Sequence, residues 1–172
     1  RDTKDAYASS AVEANDDNLK AMALRISDLP DGLVLRFRDT FTNEEWATTL
    51  SQSDVEDPEA ADRKLKQLDS QERVRNLLSL FGWEDLPGSR QGQALAIVSQ
   101  STVYESEAAA KADTGRLCGL SINEKDPLRE FPVPGIGDQS TGFIVTSVDT
   151  QGGSKTVDTV VCFRTGKIVH GV

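Results

Sequence analysis

The chain holds one histidine in 172 residues and nowhere gathers its 19 lysines and arginines into a cluster. A single histidine excludes any metal site built on two of them. His170 lies within KIVHGV, a run with strand character, and is the third residue from the end of the sequence. A packed or solvent-facing strand residue fits that position better than the base of a Ser/His/Asp set. The missing basic cluster, together with a net charge of -9, removes the usual source of affinity for phosphate backbones and anionic lipid surfaces, so no nucleic-acid partner is expected. No run approaches eighteen apolar residues, and the amino terminus lacks the basic and then apolar pattern of a secretion signal. A membrane partner therefore enters only through an N-terminal tether that this chain does not contain. A chain opening on Arg1 rather than Met reads as a trimmed or mature product. No internal repeat is evident.

What remains is a composition close to the globular average, 37% apolar and 27% charged, in a length that makes one domain with its own core. Residues 1–16 are small, polar and acidic, and read as a flexible tether that cannot repay its own ordering. The domain proper is expected over 17–172. Leu19, Met22 and Ile26 recur at helical spacing behind acidic caps. Leu33, Leu35 and Phe37 alternate with Val34, Arg36 and Arg38 as in a strand. NEEWATTL predicts a short helix with Asn43 as its N-cap. The apolar residues Ala61, Leu65, Leu68, Val74, Leu77, Leu78 and Phe81 predict one amphipathic helix over roughly 59–81, stopped at Gly82. QALAIVSQSTVY, GFIVTSV, TVDTVVCFR and KIVHGV read as further strands, the last two joined by a hairpin turn at Thr165 and Gly166 that sets Cys162 opposite Val169. Ser106 is placed to cap a helix beginning at Glu107 and running to about Leu120. These elements predict an α+β domain: an antiparallel sheet of about five strands with helices packed mainly on one face.

The glycine-rich stretch FPVPGIGDQSTGF has the look of a phosphate loop but not its context. A dinucleotide fingerprint leaves a strand and opens a helix, whereas GIGDQSTG leaves a proline-rich loop and enters a strand, and it lacks the GKS or GKT ending of a P-loop. It reads as a structural turn, with Gly135 and Gly137 free to take positive φ and Asp138 able to accept nearby N–H groups. The carboxylates Asp54, Glu56, Asp57, Glu59 and Asp62 fail calcium-loop spacing, because Pro58 and Glu59 stand where a ligand and a glycine are needed. Among 28 carboxylates no pair is singled out for hydrolysis. Catalytic residues, a metal site and a cofactor are accordingly not assigned.

Cys118 and Cys162, 44 residues apart, both sit in apolar surroundings. A helix packed on the sheet brings such a pair into disulfide range in an extracytoplasmic protein; two buried thiols in a cytosolic one fit the count equally well. The ordered segments ISDLPDGL, LFGWEDLP, TVYESEAAA, FPVPGIGDQSTGF and VVCFRTGKIVHGV resemble a loose group of uncharacterised bacterial secreted proteins and lipoproteins over about residues 24–172, and are reminiscent of the extracellular sensor domains of actinobacterial receptor kinases. The resemblance implies an extracytoplasmic α+β domain, often on a membrane tether, and transfers no catalytic residues. With that compartment, a Cys118–Cys162 disulfide is expected. The function expected is non-catalytic binding of a small ligand or a protein partner, through the strand face bearing Arg36 and Arg38 or a groove under the loop at Pro134, Gly135 and Asp138. The alternatives are a carboxylate-dependent hydrolase and a structural or interaction module.

Overall fold

A computed structural model describes residues 16–51, 59–84, 96–114, 118, 128–148 and 155–172. The tether read over residues 1–16 lies outside them except for Asp16, which opens helix α1 (Asp16–Met22). Strand β1 (Leu33–Thr42) is followed by α2 (Asn43–Ser51) and α3 (Ala60–Ser70). Strands β2 (Arg73–Trp83) and β3 (Ala96–Tyr104) lead to α4 (Glu107–Thr114). The chain ends in β4 (Leu128–Phe131), β5 (Gln139–Val148), β6 (Lys155–Thr165) and β7 (Ile168–Gly171).

The seven strands form one sheet in the order β1-β2-β3-β7-β6-β5-β4, with every neighbouring pair antiparallel. Three strands run as a meander, α4 carries the chain to the far edge, and the last four fold back until β7 closes against β3. The α+β class and the single antiparallel sheet stand as expected; the strand count does not. Five strands were legible, and two more were not.

The larger of the two corrections concerns the helix expected over 59–81. It ends at Ser70, and its second half is β2. Glu72, at a φ of 57°, turns the chain in the left-handed region between the two. Val74, Leu77, Leu78 and Phe81 imitate helical spacing because β2 is an interior strand with apolar groups on both faces. Leu77, Ser79 and Phe81 are buried on one face while Leu78 and Leu80 are half-buried on the other. Gly82 lies within this strand, under the Arg36 stem, and stops no helix. The second correction is β4, four residues whose LREF sequence has no alternation to betray it.

Register separates the two faces. Leu77, Ser101 and His170 stand side by side across β2, β3 and β7, and Asn76, Thr102 and Val169 form the neighbouring row on the opposite face. On the first face α1 lays Leu19 and Ala23 over Leu77, Val103 and Ile168. On the second, Ala110 of α4 packs with Tyr104, Phe143, Val160, Val169 and the two cysteines. Trp46 of α2 lies against Phe41, which pairs with Asn76, so α2 shares the face of α4. Thus α1 alone takes the other side.

Capping follows the side-chain chemistry. The N-cap of α2 is Thr42, not Asn43: its hydroxyl accepts the Glu45 N–H at 3.2 Å, and the Glu45 carboxylate accepts the Thr42 N–H at 2.8 Å. Asn43 instead donates to the Asp69 carboxylate and the Arg73 carbonyl, tying α2 to the end of α3 and the start of β2. Ser106 caps α4 as expected, accepting the Ala109 N–H at 3.1 Å.

Candidate functional site

The expected contact residues are engaged inside the protein. Arg36 sits where the β1–β2 register shifts between Leu35 and Phe37, and its guanidinium donates to the carbonyls of Trp83 and Glu84. Arg38, half-buried, donates to Ser79 Oγ at 2.9 Å and to the Leu24 carbonyl at 2.6 Å, with its guanidinium 5.9 Å from the Phe81 ring centre. It holds the segment after α1 onto the sheet.

The Pro/Gly loop serves the opposite end of the sheet, with β2, β3 and β7 between it and β1. Ser140 Oγ donates to the Pro134 carbonyl and accepts the Ile136 N–H. Asp138 donates its N–H to the Arg164 carbonyl at 2.8 Å, while its carboxylate accepts the Gly166 N–H at 2.7 Å and lies 3.3 Å from Arg164 Nη1. The loop therefore fastens the β6–β7 turn, and two of its N–H groups are already bonded where a phosphate would need them. That turn is Gly166–Lys167 rather than Thr165–Gly166, because Gly166 supplies the positive φ at the first turn position; Cys162 accordingly faces Gly171 instead of Val169. Of the two loop glycines expected to take positive φ, only Gly137 does, at 64°. A Cβ there would lie 2.2 Å from the Arg164 carbonyl oxygen. Gly137→Ala is expected to cost about 2 kcal/mol or more, from left-handed strain plus displacement of β6; Gly135→Ala, with nothing within 4 Å of its Cβ position, is expected to stay within about 0.5 kcal/mol. Chemical denaturation of the two variants checks the contrast.

The surface that sequence reading missed lies on β1 and α2. Beyond the irregularity at Arg36 the alternation of β1 changes phase, so Phe37, Asp39 and Phe41 share the face of Leu80, Leu78 and Asn76. The Phe37 and Phe41 rings stack at 6.1 Å, and Phe41 meets Trp46 at 5.2 Å. The capping box makes this possible, since it starts α2 directly at the end of the strand and brings Trp46 back over Phe41. Beside the rings opens a shallow pocket of about 410 Å³ lined by Asp39, Thr40, Phe41, Glu44, Glu45, Thr48 and Thr49. The Thr48 and Thr49 hydroxyls donate to the carbonyls of Glu44 and Glu45. Phe37 is 40% exposed and Val98 47%, with Leu80 between them in register, so an apolar strip continues from the rings across three strands. The signal was present in the spacing of FRDTFTNEEW, hidden by the phase change.

β1 is also a sheet edge, yet the Thr40 N–H is taken by Asp39 at 2.8 Å and the Thr42 N–H by Glu45. Acidic caps and a bulge close this edge to an added strand.

Cys118 and Cys162 form a disulfide, with Cα atoms 5.9 Å apart and both residues buried. Cys118 is held at a φ of 57°, outside α-helical geometry; Leu120, to which the helix was expected to run, lies outside the described residues. Gly171 stands opposite Cys162 and leaves the space that Cys118 occupies, since a Cβ there would meet the Cys118 side chain at 3.5 Å.

His170 is packed, 6% exposed, stacked on Phe163 at 4.7 Å and bonded through Nδ1 to Ser101 Oγ at 2.9 Å. Burial lowers its pKa to about 4. Ser101 is equally buried, so the pair is a satisfied polar contact inside the sheet face rather than a nucleophile awaiting substrate. Asp54, Glu56 and Asp57 of the acidic run lie outside the described residues; among the described residues no three His, Cys, Asp or Glu side chains are placed to hold a metal ion. No known protein family, curated protein or solved structure matches this chain.

Proposed function

We propose that this domain is a non-catalytic binding module that works outside the cytoplasm, and that its contact surface is the aromatic and acidic face of β1 and α2. The observation that carries the reading is the row Phe37, Phe41 and Trp46 running beside Asp39, Glu44 and Glu45. Aromatic faces attract cations, carboxylates add charge, and an exposed apolar strip supplies area, so the surface suits a ligand or protein segment bearing both basic and apolar groups. The net charge of -9 draws such a partner from a distance. The buried disulfide fits an oxidising compartment, as does the resemblance to secreted proteins. An open pocket in which Glu45 is held by Thr42 suits contact better than the enclosed acid pair a hydrolase needs.

The test is a titration of the full chain with a short peptide alternating Lys and Phe, followed by tryptophan fluorescence. Saturable binding is expected that weakens at least ~10-fold in Asp39→Asn/Glu44→Gln and fades above ~0.5 M salt. A glutamate-for-lysine version of the peptide should not bind. An equal response in the double variant would refute the surface.

A further inference from the structure

Behind the aromatic row, on the same sheet face, a buried arginine without a counter-charge stands beside a buried amide donor without an acceptor. Arg73 is 8% exposed, and its guanidinium has one bond, from Nη2 to Thr102 Oγ1 at 3.2 Å. No ion pair reaches it among the described residues. The acids nearest in sequence are committed elsewhere: Glu72 accepts from the Ser106 hydroxyl at 2.6 Å, and Asp69 accepts from Asn43 at 2.9 Å. Thr102 also receives Gln100 Nε2 at 3.2 Å and donates to Asn76 Oδ1 at 2.8 Å. That leaves Asn76 Nδ2, on a side chain 3% exposed, with no partner. Lys64 of α3 bonds only the neutral Gln67 side chain. Burial first, and the Arg73 charge second, hold its amine below the ordinary lysine range.

Taking a guanidinium out of water without a counter-charge is costly, and an orphaned buried amide adds to the cost. Arg73 and Asn76 thus share the Thr102 hydroxyl, Asn76 Nδ2 has no acceptor, and the Arg73 charge is felt by Lys64. Ordinary core packing offers no reason for that; an anion does. We infer that Arg73, Asn76 and Lys64 form a binding site for a small oxyanion, a carboxylate or a phosphate. In it the guanidinium fork takes two oxygens, Asn76 Nδ2 donates to one of them, and Lys64 closes the outer side. Thr102 and Gln100 hold the two inner donors in place. The inference is independent of the β1–α2 surface and stands or falls without it.

The experiment is thermal unfolding of the full chain in a buffer whose only other anion is chloride, titrated separately with inorganic phosphate and with succinate at constant ionic strength. A saturable rise in Tm is expected with at least one of them, reaching roughly 5 to 10 °C at a hundredfold excess over Kd; which one saturates at lower concentration tells phosphate from carboxylate. General salting-out by phosphate rises without saturation and persists in every variant. Arg73→Met should abolish the saturable rise while leaving the anion-free Tm equal to or above that of the parent, because it removes an unpaired buried charge. Lys64→Gln should keep the fold and weaken the apparent affinity at least ~5-fold. Absence of a saturable rise with both anions overturns the site, as does a rise undiminished in Arg73→Met. An Arg73→Met protein less stable than the parent without anion would make the arginine a structural residue and equally refute the inference.

Discussion

Loss of the Cys118–Cys162 disulfide is expected to lower the melting temperature by roughly 8 to 16 °C. The bond closes a loop of 44 residues, and the chain-entropy relation gives about 4 kcal/mol for a loop of that size. In a domain of 150–250 residues each kcal/mol corresponds to roughly 2 to 4 °C. One opposing effect can be sized. Cys118 is held at a φ of 57°, a left-handed conformation that costs a non-glycine residue on the order of 1 kcal/mol and relaxes once the tie is cut. The net effect should therefore fall nearer the lower end. Both sulfurs are buried against Gly171, Val169 and Phe143, so reductant will act slowly on the folded chain; the comparison is best made between the parent and Cys118→Ala/Cys162→Ala. A double variant within 3 °C of the parent would show that packing of α4 alone fixes this region. Non-reducing mass spectrometry of protein from the native host supplies the companion result, and two free thiols there would remove the main support for an extracytoplasmic home.

Sequence reading succeeded where one physical signal acted alone. β3, β5 and β6 are rich in β-branched residues and Ser106 caps α4 with no competitor, and each was legible; the hairpin after β6 was legible too, but one residue out of register. The two cysteines sit in apolar runs that the sheet brings together, and the loop at Gly137 and Asp138 is the structural turn its context indicated. Reading failed where two signals overlapped. β2 carries apolar groups on both faces, so its spacing also satisfies a helix, and only the left-handed Glu72 and the partner strands on either side decide the matter. On β1 a single irregular residue, Arg36, moved Phe37 from the face of Leu35 to that of Asp39. That shift hid the aromatic row and made Arg38 look solvent-facing when it binds Ser79 and Leu24. The oxyanion cluster was beyond reach for another reason. Arg73, Asn76 and Thr102 are far apart in sequence or disguised within a supposed helix, and what makes them notable is the acceptor they lack, a property of the assembled sheet.

A fall in pH from 6.5 to 5 should destabilise the protein by roughly 1.5 kcal/mol through His170 alone. The folded-state pKa is about 4, lowered by burial, whereas an unfolded histidine titrates near 6.5. The unfolded chain therefore binds the extra proton first. Above about pH 7.5 the histidine is neutral in both states and stability is at its plateau. Between 6.5 and 4 protonation favours the unfolded chain, and the loss reaches about 3 kcal/mol before flattening below the folded value. This is the chain's only histidine, so the part of the pH slope that His170→Gln removes belongs to it. The expected fall in Tm from pH 6.5 to 5 is roughly 3 to 6 °C. His170→Gln keeps a hydrogen-bonding group opposite Ser101 and removes the titration; its melting temperature should be lower than the parent's at pH 7 but nearly constant down to pH 5. Loss of the Phe163 stack and imperfect reach to Ser101 account for the first effect, and the absence of an ionisable group for the second. An NMR titration of the imidazole protons supplies the direct measurement. A midpoint above 6 in the folded protein, or an equal pH slope in His170→Gln, would mean that water reaches the ring and that the Ser101–His170 pair is not the sealed contact described for this face.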